Sequence, residues 1–119
     1  MILEEIEQKL KEIDTNVFYA MVDTRVQNTL WNYIVFNRVS LAPNENRTGY
    51  TEKYIVNIIR ENYIPEGLEL QVINKMLEIA GMKLSSGDGV YTYLEKQNTN
   101  IVIEMFSVEF VRAKKAKRV

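Results

Sequence analysis

The chain has 119 residues, of which 46% are hydrophobic and 26% are charged. This length and composition are typical of one globular domain with a core of its own, and they exclude two independently folded domains. The sequence contains neither Cys nor His. Disulfides, thiolate nucleophiles, zinc fingers and His-based triads are therefore excluded, and we expect neither a cofactor nor a catalytic site.

Charge is balanced overall but unevenly distributed. The net charge of −1 gives no whole-chain field that would favour nucleic acid or an anionic membrane. Five bases and no acid lie in residues 112–119, so the remaining residues sum to −6. We expect one domain over residues 1–112 and a flexible basic tail over residues 113–119. Contact between this tail and an acidic partner is the alternative, through the candidate residues Lys114, Lys115, Lys117 and Arg118.

The beginning of the sequence does not resemble a secretory signal. Glu4, Glu5 and Glu7 lie among the first apolar residues, where a signal would have a basic region followed by an unbroken apolar one. No stretch approaches the ~18 consecutive apolar residues of a membrane-spanning helix. We expect an intracellular protein that does not associate with membranes.

The first half of the chain predicts one helix and two strands. Apolar residues at helical spacing indicate an amphipathic helix over residues 1–13. A strand is expected at 17–22, followed by a polar connection at 23–29. Residues 30–36 are rich in aromatic and β-branched side chains on both alternating faces. They predict a strand that is covered on both sides or lies at a subunit contact.

The second half predicts the partner strand, a helix and a hairpin. Residues 50–59 alternate Tyr54, Val56 and Ile58 against Ile55, Asn57 and Ile59, and we expect the loop at 42–49 before them to protrude. A helix should follow Pro65, with an apolar stripe over 68–80 and Gly81 as its C-cap. Residues 85–89 are typical of a turn, and 90–95 and 101–112 of a hairpin. The order α-β-β-β-α-β-β predicts an α+β fold, with one mostly antiparallel sheet and two helices on one face.

Aromatic residues in the predicted strands suggest two alternatives. Trp31, Tyr33, Tyr91 and Tyr93 could stack bases, as aromatic rings do on the sheets of RNA-recognition modules. Such platforms need cationic grooves beside the rings. The strands carry few bases and the body is acidic. The pattern therefore favours aromatic residues of the core or of an interface.

The last predicted strand has two apolar faces. Ile101, Ile103, Met105 and Val111 alternate with Val102, Phe106, Val108 and Phe110. Helices on one side of the sheet cannot cover both faces. The second face is either a half-exposed surface or a contact with another copy of the chain, since large apolar patches usually mark association sites. The candidate interface residues are Trp31, Tyr33, Phe106 and Phe110.

Three features resemble a known family. They are the segment WNYIVFNR at residues 31–38, the strand-to-helix join RENYIPEG at 60–67, and a closing hairpin followed by a basic end. Together with the element order, they resemble small proteins of the head-to-tail module of siphophages and prophages, above all the tail terminator (tail completion, or tail-to-head joining) proteins. The resemblance spans nearly the whole chain, through hydrophobic segments and not through a catalytic signature.

The resemblance implies a structural function. Tail terminators form hexameric rings that sit on the end of the tail tube, stop its polymerisation and present a surface to the head connector. The implied partners are further copies of the chain, the tail tube protein and the head-neck connector protein, while DNA passes through without specific binding. The implied location is the virion tail or neck, after assembly in the cytoplasm of a bacterial host.

We therefore expect a ring subunit of the phage neck and not an enzyme. An acidic body suits a pore for DNA, because repulsion keeps the duplex from adhering. Two alternatives remain at this point. One is another neck component, such as a head-closure or tail-associated protein. The other is a small nucleic-acid-binding regulator that uses the basic tail as an anchor.

Overall fold

A computed structural model describes residues 1–21, 31–44, 49–96 and 99–115. No helix in these residues has the length and apolar character needed to cross a bilayer. The elements in chain order are α1 (Ile2–Lys11), β1 (Val17–Tyr19), β2 (Tyr33–Pro43), β3 (Gly49–Glu61), α2 (Leu68–Leu77), β4 (Met82–Leu84), β5 (Val90–Glu95) and β6 (Val102–Lys115).

The strands form one sheet in the order β1-β2-β3-β6-β4, and β5 pairs with β6 beside β4. Among the described strands, β1 and β2 are the only parallel pair, and the other pairs are antiparallel. The predicted α+β class is confirmed, as are the pairing of β2 with β3 and the β5–β6 hairpin. The prediction missed β4, because three residues are too short to show a periodic pattern.

Both helices pack on one side of the sheet, as predicted. α1 contributes Ile6 and Leu10 to the core, and α2 contributes Val72 and Met76. Each fully buried side chain of this kind stabilises the fold by about 1.5–3 kcal/mol relative to an exposed one. The strand residues beneath the helices are Ile34, Phe36, Tyr54, Val56, Ile58, Phe106, Val108 and Phe110.

The two helices are also joined to each other by ion pairs. Lys9 Nζ lies 2.9 Å from Glu78 Oε1, and Lys75 Nζ lies 3.1 Å from Glu12 Oε1. α2 ends at Leu77, three residues before the predicted end at residue 80. Its C-cap is Glu78 and not the predicted Gly81. Gly81 instead has a φ of 81° in the turn that leads from α2 to β4.

The long strands extend beyond the helices. β2, β3 and β6 run along the longest dimension of the molecule, whose extents are 56 × 28 × 23 Å. β6 continues to Lys115, so residues 113–115 belong to the sheet and not to a flexible tail. The reason is that residues 49–51 at the start of β3 provide their backbone partners. Lys117, Arg118 and the tip of the predicted 42–49 loop lie outside the described residues.

Gly89, immediately before β5, lies against the ring of Phe106. A Cβ at this position would lie 2.4 Å from Phe106 Cζ and 2.6 Å from Cε1. We expect Gly89→Ala to lower the free energy of unfolding by about 1–3 kcal/mol, because the ring must leave its packed position. Urea denaturation measures this change. Gly87→Ala is the matched control, since nothing lies within 4 Å of its Cβ position, and an equal loss in both variants would contradict the prediction.

Candidate functional site

The side of the sheet away from the helices is the main candidate surface, here called the open face. In β3 and β6 the even-numbered side chains contact the helix-side core, so the odd-numbered ones point to the open face. Cross-strand pairing places Ile55 beside Glu109 and Ile59 beside Met105. Among the described residues, neither helix packs on this side.

The open face is mostly apolar from one edge of the sheet to the other. Val90 and Leu94 on β5 are 55% and 49% exposed. Ile59 and Ile103 are 5% and 1% exposed, although neither helix packs on their side among the described residues. An exposed apolar surface of this kind usually marks an association site. Its exposed and half-buried members, which surround the buried Ile59 and Ile103, are Phe18, Tyr33, Val35, Ile55, Val90, Leu94 and Met105.

Two polar pairs on the open face are formed within the chain. The Ser107 hydroxyl donates to Asn57 Oδ1, and Lys96 Nζ lies 2.8 Å from Glu61 Oε1. Partial burial also raises the pKa of the Tyr33 hydroxyl, whose ring packs edge-on against Phe18 at 6.1 Å. Glu109 also points to this face and has no ion pair among the described residues. A partner that covers the face must therefore supply a group for this carboxylate, while the two internal pairs need no new partners.

The open face carries more polar side chains toward the ends of the strands that extend beyond the helices. A groove of about 460 Å³ there is lined by hydroxyl groups and one lysine. The face thus has an apolar part and a polar part, which differ in the partners they can contact. The residues that form the groove are Ser40, Ala42, Thr51, Lys53, Ser85, Ser86 and Val111.

The predicted interface residues are divided between the two sides of the sheet. Tyr33 lies half-buried on the open face, and Trp31 lies half-buried just before β2 with a φ of 39°. Phe106 and Phe110 are only 6% and 0% exposed and lie beneath the helices. Their prediction as interface residues is corrected, because α1 and α2 cover the side of β6 that carries them. Among the described residues, neither helix packs on the side with Ile103 and Met105.

Several residues of the open face were not predicted as part of an interface. Phe18 lies on a three-residue strand whose parallel pairing with β2 is a tertiary feature. Ile55 and Ile59 were recognised as one face of their strand, but nothing in the pattern indicated that the helices would pack on the other face. Alternation identifies two faces and does not say which of them is covered.

A second surface lies at the end of the sheet formed by β5 and the start of α2, here called the tyrosine end. The Tyr91 hydroxyl donates to Glu69 Oε2 at 2.5 Å, which raises the pKa of Tyr91 to about 12. Interaction with the Glu104 carboxylate raises the pKa of Tyr93 in the same way. Both tyrosines are therefore neutral hydrogen-bonding groups beside acids. The surface consists of Tyr63, Glu66, Glu69, Tyr91, Tyr93 and Glu95.

Neither surface contains a group suited to holding a metal ion, since no three carboxylates are clustered in the part of the chain that the structure describes. No protein-family model matches this chain, and no curated protein matches it. The candidate function therefore depends on the open face, the tyrosine end and the elongated shape.

Proposed function

We propose that the protein is a structural subunit that assembles with further copies of itself by burying the open face. The single observation that carries the proposal is the apolar surface from Phe18 to Leu94, which the helices leave uncovered. Burial of apolar area is the main favourable contribution to stable association. The two polar pairs within that surface keep their hydrogen bonds on burial, and the neighbour would supply a partner for Glu109.

The shape of the chain favours a ring over a two-fold dimer. A ring needs a contact in which one patch meets a different patch on the neighbour, and a rotation that closes. The molecule has unlike patches: the apolar open face, its hydroxyl-rich extension, and the tyrosine end. Its length of 56 Å also separates these patches widely.

Such a ring fits the function of the family that the sequence resembles. We propose a tail terminator of a siphophage or prophage, which assembles as a hexamer on the tail tube and joins it to the head connector. The partners are then the tail tube protein and the connector, with DNA passing through the lumen without specific binding. Another head-tail neck component with the same self-association remains the alternative within this class.

Substitution of Met105 tests the proposed assembly. Met105 is half-buried on the open face and does not belong to the helix-side core. We expect the unmodified chain to show the mass of a hexamer by light scattering at micromolar concentration. Met105→Glu should shift it to the mass of one protomer, because a carboxylate would be buried in an apolar contact. Circular dichroism should show that the variant remains folded.

Leu77→Glu provides the matched control, because Leu77 is exposed at the end of α2 on the helix side. It should leave the hexamer intact. A chain that is monomeric both alone and in the presence of tail tubes would contradict the proposal. If such a monomer bound DNA with a steep dependence on salt, the nucleic-acid-binding alternative would replace it. If Met105→Glu still forms the hexamer, the open face is not part of the contact between copies.

A further inference from the structure

We propose that neighbouring copies join end to end, with the tyrosine end of one copy against the basic end of the next. The basic end consists of Arg112 and Lys114 near the end of β6, with Lys83 on β4, and the strand itself ends at Lys115. This inference rests on the proposed function, because it adds to the open face a second contact between neighbours in the ring. The partner is a second copy of this chain.

The first support is the separation of charge along the sheet. β6 carries its basic residues at its C-terminal end, and its N-terminal half pairs with β5 at the tyrosine end. Fourteen residues of extended strand span roughly 45 Å, so Lys114 lies at the opposite end of the long axis from Glu66, Glu69 and Glu95. Within the basic end, Arg112 pairs with Glu52 at 3.9 Å. A chain with opposite charges at its two ends attracts copies in the head-to-tail direction and repels them head to head.

The second support is that acids at the tyrosine end lack neutralising partners. Glu66 and Glu95 are exposed and have no ion pair within the described residues. Lys114, at the other end, is likewise exposed and has no ion-pair partner in the described chain. Contact between the two ends would pair these charges without disturbing an ion pair of the fold.

The third support is the character of β5 as an edge strand. All six of its residues are exposed, and among the described strands only β6 pairs with it. Exposed edges of this kind readily pair with another chain unless they are protected. Tyr93 on β5 is 59% exposed, and Tyr63 in the join before α2 is 70% exposed. Tyrosine is enriched in protein interfaces. One side of β5 also belongs to the open face, so a single neighbour could cover both surfaces.

Charge reversal at each end tests the inference. The basic-end variant is Lys114→Glu with Lys115→Glu, and the acidic-end variant is Glu66→Lys with Glu95→Lys. Each variant alone presents like charges at its two ends, so we expect light scattering to show protomers in both cases. An equimolar mixture should recover the hexamer mass, because alternating variants pair opposite charges at every contact of an even-membered ring. The chain with all four substitutions should also assemble.

The control is Glu4→Lys with Glu5→Lys, which changes the net charge as the acidic-end variant does, on exposed residues of α1. It should leave the mass unchanged. If the unmodified chain assembles and both charge-reversed variants assemble as well, the end-to-end contact is wrong and burial of the open face stands. The same conclusion follows if the variants dissociate and their mixture does not recover. A monomeric unmodified chain would contradict both proposals.

Discussion

Replacement of Phe110 by Ala is expected to lower the free energy of unfolding by about 3–5 kcal/mol, as loss of a buried aromatic side chain usually does. Phe110 is fully buried under the helices, and its cross-strand neighbour Tyr54 is also fully buried. The substitution would leave a cavity that well-packed neighbours cannot fill completely. Urea denaturation followed by circular dichroism measures the change.

Met105→Ala on the same strand is the comparison for this prediction. Met105 points to the open face and is only half-buried, so its truncation in a monomeric sample should cost clearly less than that of Phe110. The effect on assembly should be the reverse of the effect on stability. We expect truncation of Met105 to weaken the hexamer more than it destabilises the fold. Equal losses of stability at both positions would contradict the assignment of the two faces of β6.

Loss of Arg60 should have the second largest effect on stability. Its guanidinium pairs with Asp14, and the two side chains are only 14% and 10% exposed. Arg60 Nη1 also donates to the Ile59 carbonyl oxygen at 2.9 Å and to that of Tyr33 at 3.3 Å. Arg60→Met would leave the Asp14 carboxylate largely buried without its partner. We expect a loss of about 3 kcal/mol in the free energy of unfolding, measured by urea denaturation.

A double-mutant cycle isolates this pair. Asp14→Asn combined with Arg60→Met should cost less than the sum of the two single variants, because neither charge is then left unpaired. Lys11→Met provides the control, since Lys11 pairs with Glu7 at 2.9 Å across half-exposed positions. An exposed helix pair of this kind contributes only about 0.3–0.5 kcal/mol. If Lys11→Met and Arg60→Met lowered the free energy of unfolding by similar amounts, the Asp14–Arg60 pair would contribute no more than an exposed ion pair.

This ion pair also explains how the open face keeps its shape. Asp14 follows α1, and Arg60 lies near the end of β3, which carries Ile55 and Ile59 on the open face. The same guanidinium reaches the backbone of β2 at Tyr33. The pair thus joins the helical layer to two strands of the candidate surface, and rigid support of this kind favours a contact with a fixed geometry.

The core elements were predictable because their patterns are local. Apolar residues at helical spacing located α1 and α2, and alternation in residues 50–59 identified both sides of β3. The β2–β3 pairing and the β5–β6 hairpin followed from short sequence separation and turn composition. The strand β4 and the parallel pairing of β1 were not recognised, since three-residue strands depend on neighbours that are distant in the sequence.

The candidate site was predictable only in part. The excess of apolar strand surface was evident from β6 alone, because both of its alternating faces carry large side chains. The choice of Phe106 and Phe110 as interface residues was wrong, and Tyr33 is the predicted residue that the structure places on the open face. Tyr91 and Tyr93 were predicted as aromatic residues of the core or of an interface. The tyrosine end as a surface was not predicted, because it combines residues from β5, α2 and the join before α2.

The amino-acid sequence by itself determined the α+β class, the two amphipathic helices and the presence of more apolar strand surface than two helices can cover. Each of these is a property of residues that are near one another in the chain. Only the tertiary structure decided which face of the sheet the helices cover, how far β6 extends, and that Lys114 lies at the opposite end of the molecule from the exposed acids Glu66 and Glu95. Alternation along a strand does not distinguish its two faces. They become different only because α1 and α2 pack on one of them.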